Sequence, residues 1–345
     1  MDRALQDCTV YRQRSSWIFS WLPSWCPSSP THLKTAEDRI LHPLKLQFTR
    51  GHVPISNGNY IWTLAFNETH PSDQACSNED PQVPLVLLHG FGGGLGLWVK
   101  NLTTLAQTGR PVYALDLLGF GRSSRPAACV QAPEAEEQFV QSLEEWREVL
   151  GLEVMILLGH NLGGYVSAAY ALKYPHRVQQ LVLVEPWGFT ERPDEEDLQC
   201  RIPLWIKALG SAMNPFNPLA LLRLAGPLGP LLLQALSGET AFKNMTIPYG
   251  WAQRPMMQRM EMIDPSIHIS VICGSRSCID GQSGRAIQEM RPNSQTDHIV
   301  ITGAGHYVFA DQSEDFNQAV LKICSNVRDG EKAEEDRKEK SVGKE

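Results

Sequence analysis

The sequence predicts an α/β protein built on a mostly parallel, doubly wound sheet, and three observations lead there. Short apolar runs recur along the 345 residues: Pro84-Leu-Val-Leu-Leu88, Val112-Tyr-Ala-Leu115, Glu153-Val-Met-Ile-Leu-Leu158, Leu181-Val-Leu-Val-Glu185 and Ile269-Ser-Val-Ile272. Runs apolar on both faces suit strands covered by helices on both sides. Helical patterns lie between them. Phe139, Leu143, Trp146 and Leu150 recur at i, i+4, i+7 and i+11, one buried helix face, and Gly163–Lys173 reads as a helix stopped before Pro175. Finally, the residues with chemical character cluster where these strands end.

The strand ends carry recognisable turns. Gly159-His160-Asn161-Leu162-Gly163-Gly164 has the form G-x-N-x-G. A nucleophile elbow is G-x-S-x-G, a strained strand-to-helix turn that lifts a serine hydroxyl above the sheet. Here the glycines that permit the turn are present and Asn161 stands where the serine would. Asn tolerates φ > 0, so the turn persists, but an amide is no nucleophile. Upstream, His89-Gly90-Phe91-Gly92-Gly93-Gly94 is an H-G-x-G-type turn. With such a turn, the oxyanion hole takes backbone N–H groups from Phe91 or Gly92 and from Leu162. A phosphate-binding glycine loop is excluded, because neither G-x-x-x-x-G-K-[ST] nor G-x-G-x-x-G is met. Asp116-Leu-Leu-Gly119-Phe-Gly121-Arg-Ser123 forms a further turn. Asp280 lies beyond the Ile269–Gly274 run, and His306 follows a strand starting at Asp297. In a complete triad Asp280 would fix the His306 tautomer. The chain order elbow, acid, histidine is that of the α/β-hydrolase fold.

The remaining segments are placed in order. Residues 1–30 form a tryptophan-rich leader, and residues 27–59 a linker with an early helix that Thr31 caps. Tyr60–Phe66 is an edge strand. Residues 31–328 form the hydrolase domain, with a cap inserted at about 190–250, and 329–345 a charged, disordered tail. No internal repeat is present.

The motifs resemble those of the α/β-hydrolase-domain branch that contains the lipid-droplet coactivator of adipose triglyceride lipase. The likeness is carried by Trp17, Trp21 and Trp25, by Leu87–Trp98, Asp116–Pro126, Leu157–Gly164 and Val184–Phe189, and by Gly305-His-Tyr-Val-Phe-Ala-Asp311. It spans about Trp17 to Val327. In that branch a sibling with serine at the elbow is a lipase, and Asn161 groups this chain with the coactivator. The resemblance implies a cytoplasmic protein at the lipid-droplet surface whose partners are adipose triglyceride lipase and the droplet-coat perilipins. It also implies acyl-coenzyme A-dependent acylation of lysophosphatidic acid. There is one departure. The branch's cap continues past Leu231–Leu236 with a charged, aromatic-rich stretch, whereas here Leu236 runs straight into Ser237-Gly-Glu-Thr-Ala-Phe242.

Three functions follow: a non-hydrolytic activator of a lipase, a lysophosphatidic acid acyltransferase, and a residual serine-type lipase or esterase, which the elbow argues against. For the acyltransferase, His306 and Asp311 form H-x-x-x-x-D, with His306 as base and Asp311 orienting it. The plainer reading of Asp311-Gln-Ser-Glu314 is a helix start that Asp311 caps. Arg276, beyond the Ile269–Gly274 strand, and Gly305, beside His306, are the candidate partner surface. A surface Arg pairing with a neighbouring carboxylate is the plainer reading of the first, and a tight turn that of the second.

Composition narrows the field. The chain is 42% hydrophobic and 20% charged, as globular domains are. A net charge of −7 argues against nucleic acid as a partner. Eight cysteines without C-x-x-C pairs suggest reduced thiols and no metal site, and the sequons at Asn67, Asn101 and Asn244 are then incidental. No resident cofactor is expected, and acyl-coenzyme A enters only as a co-substrate. No apolar run approaches the ~20 residues that span a bilayer. The leader's apolar stretch Trp17-Ile-Phe-Ser-Trp-Leu22 is short for a signal peptide and is broken by Pro23. Its Trp rings favour an apolar–water interface, the alternative being rings folded back onto the core.

Replacing Trp17, Trp21 and Trp25 together by alanine is expected to move the protein from droplets to the cytosol, since each buried ring contributes ~1.5–3 kcal/mol. Flotation with droplets checks this. A variant that stays bound but melts earlier speaks for folded-back rings.

Overall fold

A computed structural model describes residues 30–68, 82–126, 131–192, 236–247, 250–277 and 283–326. Trp17, Trp21 and Trp25, most of the cap, Asp280 and the charged tail lie outside the described residues.

The strands are β1 (Thr49–Pro54), β2 (Tyr60–Phe66), β3 (Leu85–Leu88), β4 (Val112–Leu115), β5 (Met155–His160), β6 (Val178–Val184), β7 (Thr246–Ile247), β8 (Trp251–Ala252), β9 (His268–Gly274) and β10 (Thr296–Ile301). The helices are α1 (Pro30–Leu41), α2 (Val99–Ala106), α3 (Ala132–Val149), α4 (Leu162–Lys173), α5 (Leu236–Met245), α6 (Ser283–Met290), α7 (Val308–Asp311) and α8 (313–326). Among the described residues, eight strands form one sheet in the order β1-β2-β4-β3-β5-β6-β9-β10, parallel from β4 onward, with β1 and β2 antiparallel at one side. β7 and β8 make a separate antiparallel pair.

Side-chain alternation builds two cores from the same strands. Val86, Leu88 and Leu157 face α3 and α4, together with Phe139, Leu143 and Trp146 of the predicted stripe. Leu85, Leu87, Ile156 and Leu158 face α2 and α8, meeting Leu102, Phe316 and Val320. The continuous apolar runs are thus explained, because both faces of the central strands are covered.

Two expectations are corrected. Tyr60–Phe66 is a strand with the predicted bounds, but it is not at the edge: it lies between β1 and β4. β1 occupies the edge, inside a segment read as linker. Its sequence Thr-Arg-Gly-His-Val-Pro has no apolar alternation, and its backbone pairing with β2 forms through a turn in which Asn57 has φ +57°. Thr31 does not cap α1. The helix starts at Pro30, and Thr31 lies in its first turn, accepting the Thr35 hydroxyl at its carbonyl.

The sequon at Asn101 is closed to modification in this fold. Its side chain is fully buried and donates to the Phe309 carbonyl at 3.0 Å and to Asn317 Oδ1 at 2.8 Å, joining α2 to α7 and α8. Among the described residues no helix is long and apolar enough to cross a membrane.

One buried carboxylate fixes α1 to the sheet. Glu37 accepts from Trp62 Nε1 at 2.9 Å, from Arg50 at 3.0 Å and from Arg122 at 2.9 Å, and the Arg122 guanidinium lies 3.6 Å above the Trp62 ring. Three donors from β1, β2 and the turn after β4 thus converge on one acceptor. Glu37→Ala orphans them and is expected to cost about 2–3 kcal/mol, below the range for a fully buried pair because both guanidiniums reach solvent. Urea unfolding would show a lowered midpoint. An unchanged midpoint would mean that Glu37 does not clamp α1 to the sheet.

Candidate active site

The elbow forms because two glycines allow two backbones to meet. A Cβ on Gly159 would strike the Gly163 carbonyl, and one on Gly163 would strike the carbonyls of Leu88 and His89. Between them Asn161 adopts φ +50° and ψ −113°. That ψ lies outside the ordinary left-handed basin, so the turn stores strain of order 1–3 kcal/mol. Surrounding bonds hold it. Asn161 N–H donates to the Val184 carbonyl at 3.0 Å, and its own carbonyl accepts from Gly164, Tyr165 and Trp187 at 3.1–3.2 Å.

The Asn161 side chain turns toward the expected oxyanion hole. Phe91 N–H donates to Asn161 Oδ1 at 3.3 Å. The amide oxygen therefore sits where a developing oxyanion would be received, on a long and weak bond. Leu162 opens α4 and is buried, while Gly92 is exposed with φ +68°.

Two buried imidazoles support this turn. His89 donates from Nδ1 to the Gly90 carbonyl at 2.7 Å and accepts Leu117 N–H on Nε2 at 2.9 Å. Burial holds its pKa down to about 4. His160 donates from Nε2 to the His306 carbonyl at 3.2 Å, and its ring lies 4.6 Å from the His306 ring. Burial, and then the neighbouring His306, lower its pKa to about 3. Asp116 locks the adjoining turns: Oδ1 accepts from Leu95 N–H and Oδ2 from Arg122 N–H, both at 2.7 Å. Complete burial raises its pKa to about 6 despite those bonds.

His306 follows β10 as predicted, half-buried, and among the described residues the carboxylate it faces is Glu185. His306 Nδ1 lies 3.7 Å from Glu185 Oε2. Glu185 ends the predicted Leu181–Glu185 run, where its sequence position alone marks no site. The signal that would have found it is its place at the carboxyl end of a parallel strand, where the other site residues also sit. Asp280 is outside the described residues.

The reading of Asp311 changes. It closes α7 instead of capping α8, and its Oδ2 accepts Gly305 N–H at 2.8 Å. It ties the His306 loop rather than orienting the ring, because Glu185 and not Asp311 is the carboxylate beside Nδ1. Among the described residues, Arg276 lacks the carboxylate partner of the plainer reading. It is exposed, its guanidinium donates to the Gly303 carbonyl, and its N–H donates to Ala304 at 2.9 Å. The carbonyls of the turn after β10 take the place of a carboxylate partner.

Aromatic rings pack beside Phe91. Phe91 stacks on Phe242 of α5 at 4.2 Å, and Phe242 lies 4.6 Å from Trp187. The Leu236-Ser237 junction falls at the start of α5, the helix that carries Phe242. Among the described residues, no group of His, Cys, Asp and Glu is arranged to hold a metal ion.

The family model for the alpha/beta hydrolase fold matches residues 83–313. The chain belongs to the α/β-hydrolase family. It is similar to the 1-acylglycerol-3-phosphate O-acyltransferase ABHD5 of Homo sapiens, at 56% identity over 91% of this chain and 96% of that protein. It is also similar to the (lyso)-N-acylphosphatidylethanolamine lipase of Homo sapiens, at 42% identity over 92% and 98%. Among solved structures, the carboxylesterase CesB of Bacillus subtilis superposes with a TM-score of 0.57 at 19% identity, over 84% of this chain and 96% of that one, a likeness of fold.

The buried imidazoles make acid stability a test of the site. A native His160 held near 3 refuses the proton that an unfolded histidine accepts below about 6.5. The unfolded state then binds more protons, and the native state loses stability as pH falls from about 6.5 toward 3. Asp116 acts oppositely between about 3.8 and 6, because its native pKa is raised. His160→Gln removes only the first effect. The unfolding free energy of the variant relative to the native chain is expected to rise by about 1.4 kcal/mol per pH unit on acidification below pH 6.5. Denaturant melts at pH 7, 6 and 5 measure it, and parallel curves would mean that His160 titrates normally.

Proposed function

We propose that this chain is a non-hydrolytic regulator of triacylglycerol breakdown. It acts in the cytoplasm at the lipid-droplet surface, held there by Trp17, Trp21 and Trp25, and it activates adipose triglyceride lipase, with perilipins as droplet partners. The observation that carries the reading is the Phe91–Asn161 contact. The elbow has the geometry of a nucleophile site, yet its side chain is an amide that itself takes an oxyanion-hole donor. Such a site stabilises neither an attacking oxygen nor an oxyanion. Activity then comes through contacts, and Arg276, exposed beside the His306 loop, is the group offered to the lipase.

A second reading is favoured by the His306–Glu185 approach and by the activity in the name of ABHD5. In it, His306 Nε2 removes the proton from the free hydroxyl of 1-acylglycerol-3-phosphate. The hydroxyl oxygen attacks the thioester carbonyl of acyl-coenzyme A, the C–S bond breaks, and the departing thiolate takes the proton from the imidazolium. Asn161 forms no covalent bond, and its weak hold on Phe91 N–H yields to the thioester oxygen.

Three assays of the purified full-length chain test both readings. No ester or triacylglycerol hydrolysis is expected from the native chain, and at most weak hydrolysis from Asn161→Ser. Titrated into adipose triglyceride lipase on a triacylglycerol emulsion, the native chain raises lipolysis, and Arg276→Ala raises it less. With acyl-coenzyme A and 1-acylglycerol-3-phosphate, His306→Ala loses turnover by about 100-fold or more. Robust hydrolysis by the native chain that Asn161→Ala abolishes refutes both readings. Lipolysis that does not respond to the native chain refutes the first, and the absence of phosphatidic acid refutes the second.

A further inference from the structure

Glu185 is built into the site more firmly than a strand end requires. It is 1% exposed, and its φ is +45°, a backbone setting that suits Gly or Asn better than Glu. The local backbone does not explain the residue; the contacts of its carboxylate do. Oε1 accepts Gly274 N–H at 2.7 Å, and Oε2 accepts the Ser277 hydroxyl. Its own N–H donates to the Ile272 carbonyl at 3.0 Å. With the backbone pinned to β9 and the carboxylate bound by Gly274 at the end of β9 and by Ser277 just beyond it, the second oxygen is aimed at the His306 loop. That loop is drawn in because Gly274 has no side chain: a Cβ there would collide with the carbonyls of Ala304 and Gly305.

The other partner is a polar atom in need of one. Among the described residues, His306 Nδ1 is buried without a hydrogen-bond partner and lies 3.7 Å from Glu185 Oε2. Among the described residues, the other groups around the imidazole do not serve Nδ1. His160 of β5 stacks at 4.6 Å and spends its N–H on the His306 carbonyl. Tyr307 meets the ring edge-on at 5.1 Å. Asp311 of α7 is bound by Gly305 N–H, and Arg276 beyond β9 donates to Gly303 and Ala304.

We infer that Glu185 is the positioning residue for His306: its carboxylate holds the imidazole in the tautomer with the proton on Nδ1, leaving the Nε2 lone pair as the base. A carboxylate bound by Gly274 N–H and the Ser277 hydroxyl acts only as an acceptor, so a short approach to Nδ1 is favourable only if Nδ1 carries hydrogen. The 3.7 Å separation is longer than a hydrogen bond, as such contacts often are before substrate draws them together. The kinetic consequence, though not the tautomer itself, rests on the acyl-transfer reading above.

Glu185→Gln tests this sharply, because the site dictates how the new amide points. Gly274 N–H requires the amide oxygen at Oε1, which turns the NH2 group toward His306. A donor now faces Nδ1, and the tautomer with the proton on Nε2 is favoured. Nitrogen NMR of the full-length chain labelled at histidine, at alkaline pH and with His306→Gln for assignment, is expected to show Nδ1–H in the native chain and in Glu185→Asp. It is expected to show Nε2–H in Glu185→Gln. A native chain already in the Nε2–H form overturns the inference, as does an unchanged tautomer in a folded Glu185→Gln. Should Glu185→Gln not fold, Asp280→Asn decides: the Nδ1–H form kept there supports Glu185, and a flip there assigns the role to Asp280 instead. With acyl-coenzyme A and 1-acylglycerol-3-phosphate, Glu185→Gln should lower kcat about 100-fold with KM little changed, and Glu185→Asp should recover part of it. A native chain without acyl transfer counts against that reading of function and leaves the tautomer result standing.

Discussion

The close approach of β5 and α4 at Gly159 and Gly163 is the constraint on which the site depends. Only with both Cβ atoms absent can the chain reverse from strand to helix within one residue, and that residue must accept φ +50°. The turn would lift any side chain at position 161 above the sheet. Chemistry then depends on what that side chain is. With Asn, the same turn that would expose a nucleophile instead delivers an amide oxygen to Phe91 N–H. The scaffold keeps its geometry and changes its use.

The surroundings hold that geometry by buried polar groups rather than by apolar packing alone. Asp116 bonds the turns after β3 and β4 to each other, and His89 is satisfied on both ring nitrogens by backbone of the same two turns. His160 spends its only N–H on the His306 carbonyl. Each of these groups is worth little as a net hydrogen bond but costly to leave unpaired. The site is therefore rigid for the same reason that His89 and His160 are hard to protonate: both are buried away from water. Such rigidity is common to turnover and to partner binding, since both need a preformed surface.

Strand runs, the elbow and the chain order of the candidate residues were legible because they rest on local facts: apolar patterns, glycine sterics and spacing. β1 was not legible. Thr49–Pro54 lacks alternation, and its pairing with β2 is a non-local backbone interaction that no side-chain pattern records. Asp311 illustrates a different failure. As a sequence, Asp-Gln-Ser-Glu fits a helix start, but the carboxylate finds Gly305 N–H six residues back, the short helix α7 having brought it there.

The sequence by itself determined the class of fold and the absence of a serine nucleophile, because both follow from residue identity at fixed spacing. It also supplied His306. Tertiary structure alone decided which described carboxylate faces that histidine. Glu185 and His306 belong to loops far apart in sequence, and the approach of β6, β9 and the loop after β10 brings them within 3.7 Å. A carboxylate's role depends on the donors folded around it, and that arrangement is a property of the sheet, invisible along the chain.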